Sequence, residues 1–126
     1  MNFRNLMIVT AVLWAINGIG FVLVSAPTLS VLGVTADRYV TWMAQAFGAA
    51  LIGYALMDWL ARNTMDSEAK RAILLANLGF NAIGVVIDLL ATLSGVLNGL
   101  GWSIVGVHLL LALGYAYFLL AKPATS

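Results

Sequence analysis

Residues 72–96 of this chain read AILLANLGFNAIGVVIDLLATLSGV, and Asp88 carries the only charged side chain among them. A helix of about 20 apolar residues is long enough to cross the hydrocarbon core of a bilayer. An amphipathic surface helix would instead present one charged face to water. Because this stretch is long, apolar and free of proline, it predicts a membrane-spanning helix.

Three further stretches have the same character, namely residues 6–26, 39–61 and 100–121. We expect the first to end at Pro27 and the last at Lys122-Pro123, because proline cannot continue a helix. The sequence Thr35-Ala36-Asp37 is a helix-start signal before the second stretch, and Asp66 or Ser67 can cap the helix of the third. The chain is therefore predicted to be an all-α membrane protein, a four-transmembrane-helix up-and-down bundle forming a single domain over residues 1–126.

The composition of the chain supports a membrane location and excludes several classes of protein. Of its 126 residues, 63% are hydrophobic and 9% are charged, whereas a soluble domain has about 45–50% and about 25%. The net charge of +1 and the absence of a basic face argue against a nucleic-acid partner. The chain has no cysteine, which excludes disulfides and thiolate metal sites. The predicted partners are the lipid bilayer and other membrane protein subunits, or a second copy of the chain.

The basic residues predict the orientation of the four spans. One side of the membrane would hold five of them, Arg4, Arg62, Lys70, Arg71 and Lys122, and the other side only Arg38. The positive-inside rule then places both termini in the cytoplasm. Asp58 and Arg62 are four residues apart at an inner helix end, so we expect a solvated ion pair of little energetic value.

Polar residues within the spans predict an intramembrane cluster. On the third span, Asn77, Asn81, Gly84, Asp88 and Thr92 are spaced by four, three, four and four residues, which places them on one side of a helix. Each other span contributes one polar residue within about 8 Å of its midpoint. The predicted cluster consists of Asp88, His108, Asn17, Gln45, Asn77 and Asn81.

Asp88 and His108 are the candidate pair within this cluster. A tight turn at Asn98-Gly99 makes the third and fourth spans antiparallel neighbours and brings the two residues to the same depth. An isolated charge at the bilayer centre costs about 2.5–3.5 kcal/mol on insertion scales. A protonated Asp88, an ion pair with His108 or water in a cavity would each lower this cost. The pair is thus interpreted as an interhelical clasp or as a proton or ligand site, and a lipid-facing Asp88 is the third possibility.

Small residues on the second span predict close helix packing. Ala44 with Gly48, and Ala49 with Gly53, form two small-xxx-small pairs. Small residues allow helix backbones to approach closely in lipid, where there is little hydrophobic drive between helices. We expect most of this surface to pack within the bundle, and any small-residue face left outside to form a subunit interface.

The sequence gives little support for catalysis. We find no second carboxylate within a span to pair with Asp88, and no histidine cluster suited to a metal. Ser94 and Ser103 do not establish a catalytic triad with a lone histidine and a lone aspartate. We therefore predict no cofactor and no metal site. An apolar cleft lined by His108 with Tyr115 or Trp14 would nevertheless suit a lipid or a quinone.

Three segments in the first half of the chain carry a family resemblance: Gly20-Phe21-Val22-Leu23 with Pro27 nearby, Gly33-Val34, and Phe47-Gly48-Ala49-Ala50-Leu51-Ile52-Gly53. With them the chain resembles small bacterial four-helix membrane proteins of the DoxX-like and domain-of-unknown-function type. The resemblance implies a four-helix fold and a multi-pass location in the bacterial inner membrane. It implies no reaction and assigns no functional residue.

Three functions remain open from the sequence. The leading hypothesis is a non-catalytic accessory or assembly subunit of a larger membrane complex, or a homo-oligomer. The second is a proton-linked transporter or channel subunit that uses Asp88 and His108, with the asparagines lining a path. The third is a membrane protein that binds a lipid or a quinone.

Overall fold

Five helices follow one another along residues 1–121, the part of the chain that the computed structural model describes. They are α1 (Phe3–Leu23), α2 (Ser25–Val31), α3 (Arg38–Ala61), α4 (Ser67–Leu93) and α5 (Gly101–Leu120). No strand occurs in these residues. Helices α1, α3, α4 and α5 are long and apolar enough to cross a membrane. The all-helical class and the four candidate spans are thus confirmed, and Lys122-Pro123 lies outside the described residues.

Three of the four long helices begin at a side-chain cap. The carboxylate of Asp37 accepts hydrogen bonds from the backbone N–H groups of Tyr39 and Val40, both at 2.8 Å. Asp66 accepts one from Ala69 at 2.8 Å, and Asn2 accepts one from Asn5 at 2.9 Å. These contacts satisfy N–H groups that the first turn of a helix leaves without an intrahelical acceptor. Both aspartates cap the helices for which the sequence proposed them.

The first connection differs from the prediction that the first span ends at Pro27. Helix α1 ends at Leu23, because Val24 leaves the helical region at φ −137° and ψ 51°. Pro27 instead lies in the first turn of the short helix α2, where a missing N–H costs no intrahelical hydrogen bond. Helix α2 is followed by Gly33 at φ 81°, a left-handed conformation that suits glycine.

The connection between α4 and α5 also differs from the prediction. Helix α4 begins five residues before position 72, at Ser67, and ends at Leu93 rather than at residue 96. Gly95, at φ 78°, makes the left-handed turn that the sequence assigned to Asn98-Gly99. Asn98 instead caps the next turn through its side-chain oxygen, which accepts a hydrogen bond from Leu100 N at 3.0 Å.

The chain divides into two compact units, an amino-terminal unit over Met1–Asn63 and a carboxy-terminal unit that begins at Thr64. In the amino-terminal unit, α1 and α3 pack antiparallel and are in tight contact at Gly18 and Gly48. A Cβ atom at either glycine would lie 2.8 Å from the carbonyl oxygen of the other. Only residues without a side chain permit this approach of two backbones.

In the carboxy-terminal unit, α4 and α5 form an antiparallel helical hairpin. Its turn end is closed where Gly101, the first residue of α5, packs against the Thr92 hydroxyl. Further along the hairpin, Gly84 lies against the ring of His108. The packing of this unit therefore positions the histidine that the sequence singled out.

Large apolar side chains are exposed along all four long helices, as with Ile16, Leu60, Ile87 and Leu110. In water such a surface would be unfavourable, whereas lipid tails are as apolar as these side chains. The burial pattern is consistent with a multi-pass membrane protein.

Candidate functional site

Asp88 and His108 contact each other, as the antiparallel arrangement of their helices predicts. Oδ2 of Asp88 lies 2.7 Å from Nδ1 of His108. The side chain of Asp88 is 19% exposed and that of His108 is 10% exposed. Asp88 is therefore engaged with protein, which argues against the lipid-facing alternative.

The surroundings of His108 come from one side of α4. A Cβ atom at Gly84 would lie 3.1 to 3.2 Å from three atoms of the imidazole ring, so the ring lies flat over this glycine. One turn earlier, the Phe80 ring meets the imidazole edge to face, with centroids 5.9 Å apart and an interplanar angle of 76°. Phe80, Gly84 and Asp88 follow at intervals of four and so share one helical side. They hold the ring of His108 in a defined orientation.

The pair has the chemistry of a proton-holding site. A contact of 2.7 Å between an oxygen and a nitrogen requires a proton between them. Either the carboxylate accepts this proton from the imidazole, or a neutral carboxyl group donates it to a bare ring nitrogen. Because both groups can take either role, the shared proton can move between the carboxylate and the ring nitrogen without breaking the contact between the helices.

The two asparagines of α4 donate hydrogen bonds to backbone carbonyls of their own helix. Asn81 donates to the carbonyl oxygen of Asn77 at 2.8 Å, and Asn77 donates to that of Ile73 at 3.2 Å. Both side chains are fully buried. They bind the backbone one turn earlier, a local pattern that competes with contacts between helices.

Asn17 and Gln45, both in the amino-terminal unit, bind different backbone carbonyls. Asn17 is half-buried and donates to Leu13 O at 2.9 Å on its own helix. Gln45 is exposed and donates to Val22 O at 3.3 Å. Because Gln45 faces Val22, it lies about five residues from the level of Asn17, which corresponds to about 7.5 Å along a helix. The structure therefore does not bring these two predicted site residues together.

Asp58 is a second buried carboxylate, contrary to both predictions made about it. The sequence predicted a solvated pair with Arg62 and found no carboxylate within a span besides Asp88. In the structure Asp58 is fully buried, and its Oδ2 accepts a hydrogen bond from the Thr10 hydroxyl at 2.7 Å. Thr10 is also fully buried and lies 3.0 Å from Leu6 O. A hydroxyl has one proton, so the bond to Asp58 competes with the bond to the carbonyl of its own helix.

Arg62 makes other contacts than the predicted one. Its guanidinium lies 4.1 Å from the centroid of the Trp59 ring, and it donates a hydrogen bond to Trp59 O. This stacking keeps the charge at the end of α3, while Asp58 points into the α1–α3 contact and meets Thr10. The two residues are one turn apart on α3 and occupy different environments.

A signal for the burial of Asp58 was present in the sequence. The buried residues of α3 are Ala44, Gly48, Leu51, Ala55 and Asp58. They follow at intervals of four, three, four and three, the spacing of one packed helix face. Extending the small-residue pair Ala44 and Gly48 along this spacing leads to Asp58. The basic residue Arg62, four residues later, suggested a solvated ion pair instead.

The chain was also compared with known proteins. No family model, curated protein or solved structure matches it. The resemblance to DoxX-like membrane proteins therefore stays a prediction.

Proposed function

We propose that this protein is a non-catalytic subunit of a membrane assembly and acts by association with other membrane subunits or with a second copy of itself. The observation that supports this function is an outward small-residue face on α3. It consists of four residues that are exposed in the structure: Ala46, Ala49, Ala50 and Gly53.

The two small-residue pairs of α3 have separate surroundings. Ala44 and Gly48 are buried, and Gly48 packs against α1. Ala49 and Gly53 lie on the exposed side, and within the described residues a Cβ atom at Gly53 would meet nothing within 4 Å. In membranes, interfaces between helices are enriched in small residues. The exposed pair thus has the composition of an interface whose partner is another chain.

Gly79 of α4 provides a matched comparison for Gly53. A Cβ atom at Gly79 would also meet nothing within 4 Å among the described residues. Its helical neighbours four residues away are Leu75 and Ile83, which are exposed and large. A glycine among large side chains offers no flat surface to a neighbouring helix, so we expect Gly79 to face lipid.

Cross-linking in native membranes tests the proposal, because the chain has no cysteine of its own. Gly53→Cys should form a disulfide-linked dimer, or a cross-link to a cysteine-bearing partner through a short bifunctional reagent, whereas Gly79→Cys should give no cross-linked species. Gly53→Leu should shift the detergent-solubilised protein to a smaller assembly, and Gly79→Leu should leave its size unchanged. Equal cross-linking at both positions, or an unchanged assembly in Gly53→Leu, would contradict the proposal.

We further propose that both termini are cytoplasmic and that the membrane is the bacterial inner membrane. The basis is the excess of basic residues on one side. Single cysteines at positions 2, 66 and 124 should resist a membrane-impermeant maleimide in intact cells, and one in the Gly33–Val34 connection should react. The reverse labelling pattern would reverse the orientation.

A second candidate function, proton-linked transport, is favoured by the 2.7 Å contact between Asp88 and His108. Ionisable residues within membrane spans often mark proton or substrate paths. The two groups share one proton across this contact, so each is needed for the site to hold it. Asp88→Asn and His108→Gln should each remove most of the flux, and the double variant should lose little more.

Proton flux into proteoliposomes across pH 5–8 measures this directly, with wild type, both single variants and the double variant compared in one lipid. No flux in the wild type would favour the assembly function for the isolated protein. Flux that survives both substitutions would indicate a path elsewhere and leave the pair with a structural role.

A further inference from the structure

A groove runs along the outside of the amino-terminal unit between α1 and α3. It has a volume of about 340 Å³, and its lining residues are Ala11, Val12, Ala15, Ile19, Ile52, Ala55, Leu56 and Trp59. Every one of them is apolar or aromatic, and alanines from both helices contribute to the lining. Along α1 the lining extends from Ala11 to Ile19, a rise of about 12 Å. The groove is therefore elongated, open on one side and apolar, and it suits a hydrocarbon chain.

One end of this groove carries positive charge. Arg62 lies over the ring of Trp59, the last lining residue on α3, at 4.1 Å from its centroid. On α1, Arg4 precedes Ala11 by seven residues and Ala15 by eleven, so it lies on the same helical side as the lining. The contact of Thr10 with Asp58 sets the antiparallel register, which brings Arg4 and Arg62 to the same end of the pair.

We propose that this groove binds one acyl chain of an anionic phospholipid and that Arg62 and Arg4 bind its phosphate. The guanidinium group presents N–H donors in a fork that matches phosphate oxygens. Basic residues at the ends of membrane helices attract anionic lipid headgroups. A neutral isoprenoid such as a quinone fits the apolar lining and gives the arginines no anion. A soluble phosphate gives the arginines an anion and leaves the apolar lining without a ligand.

Quenching of Trp59 fluorescence by lipids with brominated chains tests this site. The background variant carries Trp42→Phe and Trp102→Phe, which leaves Trp59 in the groove and the buried Trp14. The same background with Trp59→Phe gives the signal of Trp14, which is subtracted. Brominated phosphatidylglycerol and brominated phosphatidylcholine are each titrated into phosphatidylcholine vesicles that hold the protein. We expect phosphatidylglycerol to bind next to Trp59 about 25-fold more tightly, since each of the two arginines contributes about fivefold.

Two sets of variants separate the headgroup from the chain. The double variant with Arg4→Gln and Arg62→Gln should bind the two lipids about equally. Each arginine near a lipid surface contributes about fivefold to the affinity for the anionic lipid. Arg38→Gln is the matched control, since Arg38 also lies over an aromatic ring, that of Tyr39 at 4.7 Å, and does not line the groove. It should leave the preference unchanged. Ala15→Leu, which fills the groove, should reduce quenching by both lipids, and Ala15→Val should reduce it less.

Three outcomes would overturn the proposal. The first is equal quenching by the two lipids in the background variant. The second is tighter binding of phosphatidylglycerol that persists without both arginines, or that disappears in the control Arg38→Gln. The third is unchanged quenching in Ala15→Leu, which would mean that the headgroup binds without a chain in the groove. Each variant is first compared with wild type by gel filtration and circular dichroism, so that loss of fold is recognised.

Discussion

The two units of this chain are both pairs of antiparallel helices, and each contains one carboxylate that joins its two helices. In the amino-terminal unit Asp58 accepts a hydrogen bond from Thr10, and in the carboxy-terminal unit Asp88 pairs with His108. Both contacts measure 2.7 Å between the partner atoms. The geometry of the contact is thus the same in both units, and the chemistry of the partner differs.

The partner decides what each contact can do. A threonine hydroxyl keeps its proton throughout the accessible pH range, so it can donate a hydrogen bond to the carboxylate but cannot transfer a proton to it. An imidazole can carry a proton on either ring nitrogen and can exchange one with the carboxylate. Asp58 is also fully buried, while the side chain of Asp88 is 19% exposed. We infer that the amino-terminal contact is structural and that only the carboxy-terminal contact has the chemistry for proton exchange.

The two units also differ in what lies against a glycine at the contact between their helices. At Gly18 and Gly48 two backbones meet, and neither can move without moving its helix. At Gly84 a backbone meets an imidazole ring, which can rotate or shift by a few tenths of an ångström. The amino-terminal pair should therefore tolerate change at its crossing less well than the carboxy-terminal pair does.

The largest expected effect is that of Gly48→Ala. The added methyl group would lie 2.8 Å from Gly18 O and from Phe21 Cβ, and overpacking of this kind costs about 1–3 kcal/mol. We expect a loss of about 3 kcal/mol in the free energy of unfolding, measured by denaturant titration in micelles. Gly84→Ala should lose about 1 kcal/mol, because the ring can yield.

Gly53→Ala on the same helix is the control for this comparison. Its methyl group would meet nothing within 4 Å among the described residues, and alanine favours a helix over glycine by about 1 kcal/mol. It should be neutral or stabilising. Equal losses of stability for Gly48→Ala and Gly84→Ala would contradict the proposed difference between the α1–α3 contact and the α4–α5 contact.

The next effect concerns the carboxylate of the carboxy-terminal pair. Asp88→Leu leaves the imidazole of His108 facing an apolar side chain, and an unmade buried hydrogen bond costs about 1–3 kcal/mol. We expect a loss of about 2 kcal/mol in stability for Asp88→Leu. Asp88→Asn keeps an oxygen acceptor of nearly the same shape and should lose about half as much. Thermal melts in detergent would decide the matter, since a leucine variant as stable as wild type excludes a clasp.

The sequence predicted the long helices well because their signals are long and redundant. A run of twenty apolar residues and an aspartate cap each point to a helix independently. The connections were predicted less well. Pro27 can end one helix or lie in the first turn of the next. Either Gly95 or Gly99 can supply a left-handed turn, and only the backbone angles distinguish them.

For the candidate site, too, some residue contacts were predictable from the sequence and others were not. The pairing of Asp88 with His108 was predictable because a short turn fixes which residues of α4 and α5 share a depth. Asn17, Asn77 and Asn81 instead donate to carbonyls of their own helices, an option that polarity and periodicity alone do not reveal. Asp58 was misjudged because an arginine one turn away suggested a solvent-exposed pair, while the buried face of α3 continued through it.

A smaller effect is expected at the glycines of the two connections. Gly33 precedes α3 at φ 81° and Gly95 precedes α5 at φ 78°. Alanine in this left-handed region costs about 1 kcal/mol, so Gly33→Ala and Gly95→Ala should each lower stability by about that amount. Gly99→Ala is the control, because Gly99 is not among the residues with positive φ, and its added methyl group would meet nothing within 4 Å among the described residues. A larger loss of stability for Gly99→Ala than for Gly95→Ala would favour the turn at Asn98-Gly99 that the sequence predicted.

The smallest expected effect is the coupling energy of the Thr10–Asp58 contact, and it tests the comparison most directly. In a double-mutant cycle, Thr10→Val and Asp58→Leu are measured singly and together, and the departure from additivity isolates the contact. Hydrogen bonds between helices in membranes average about 0.6 kcal/mol by this method, with a maximum of about 1.7. Because Thr10 has competing acceptors on its own helix, we expect a value near the average.

The same cycle with His108→Phe and Asp88→Leu should give a coupling energy near the upper end of this range. Both partners of this contact can carry a charge, whereas the Thr10 hydroxyl is neutral, and hydrogen bonds to charged partners are the stronger kind. A coupling energy at Asp88–His108 no larger than that at Thr10–Asp58 would show that the imidazole adds nothing beyond a neutral donor. The carboxy-terminal contact would then be structural like the amino-terminal one, and proton exchange would lose its physical basis.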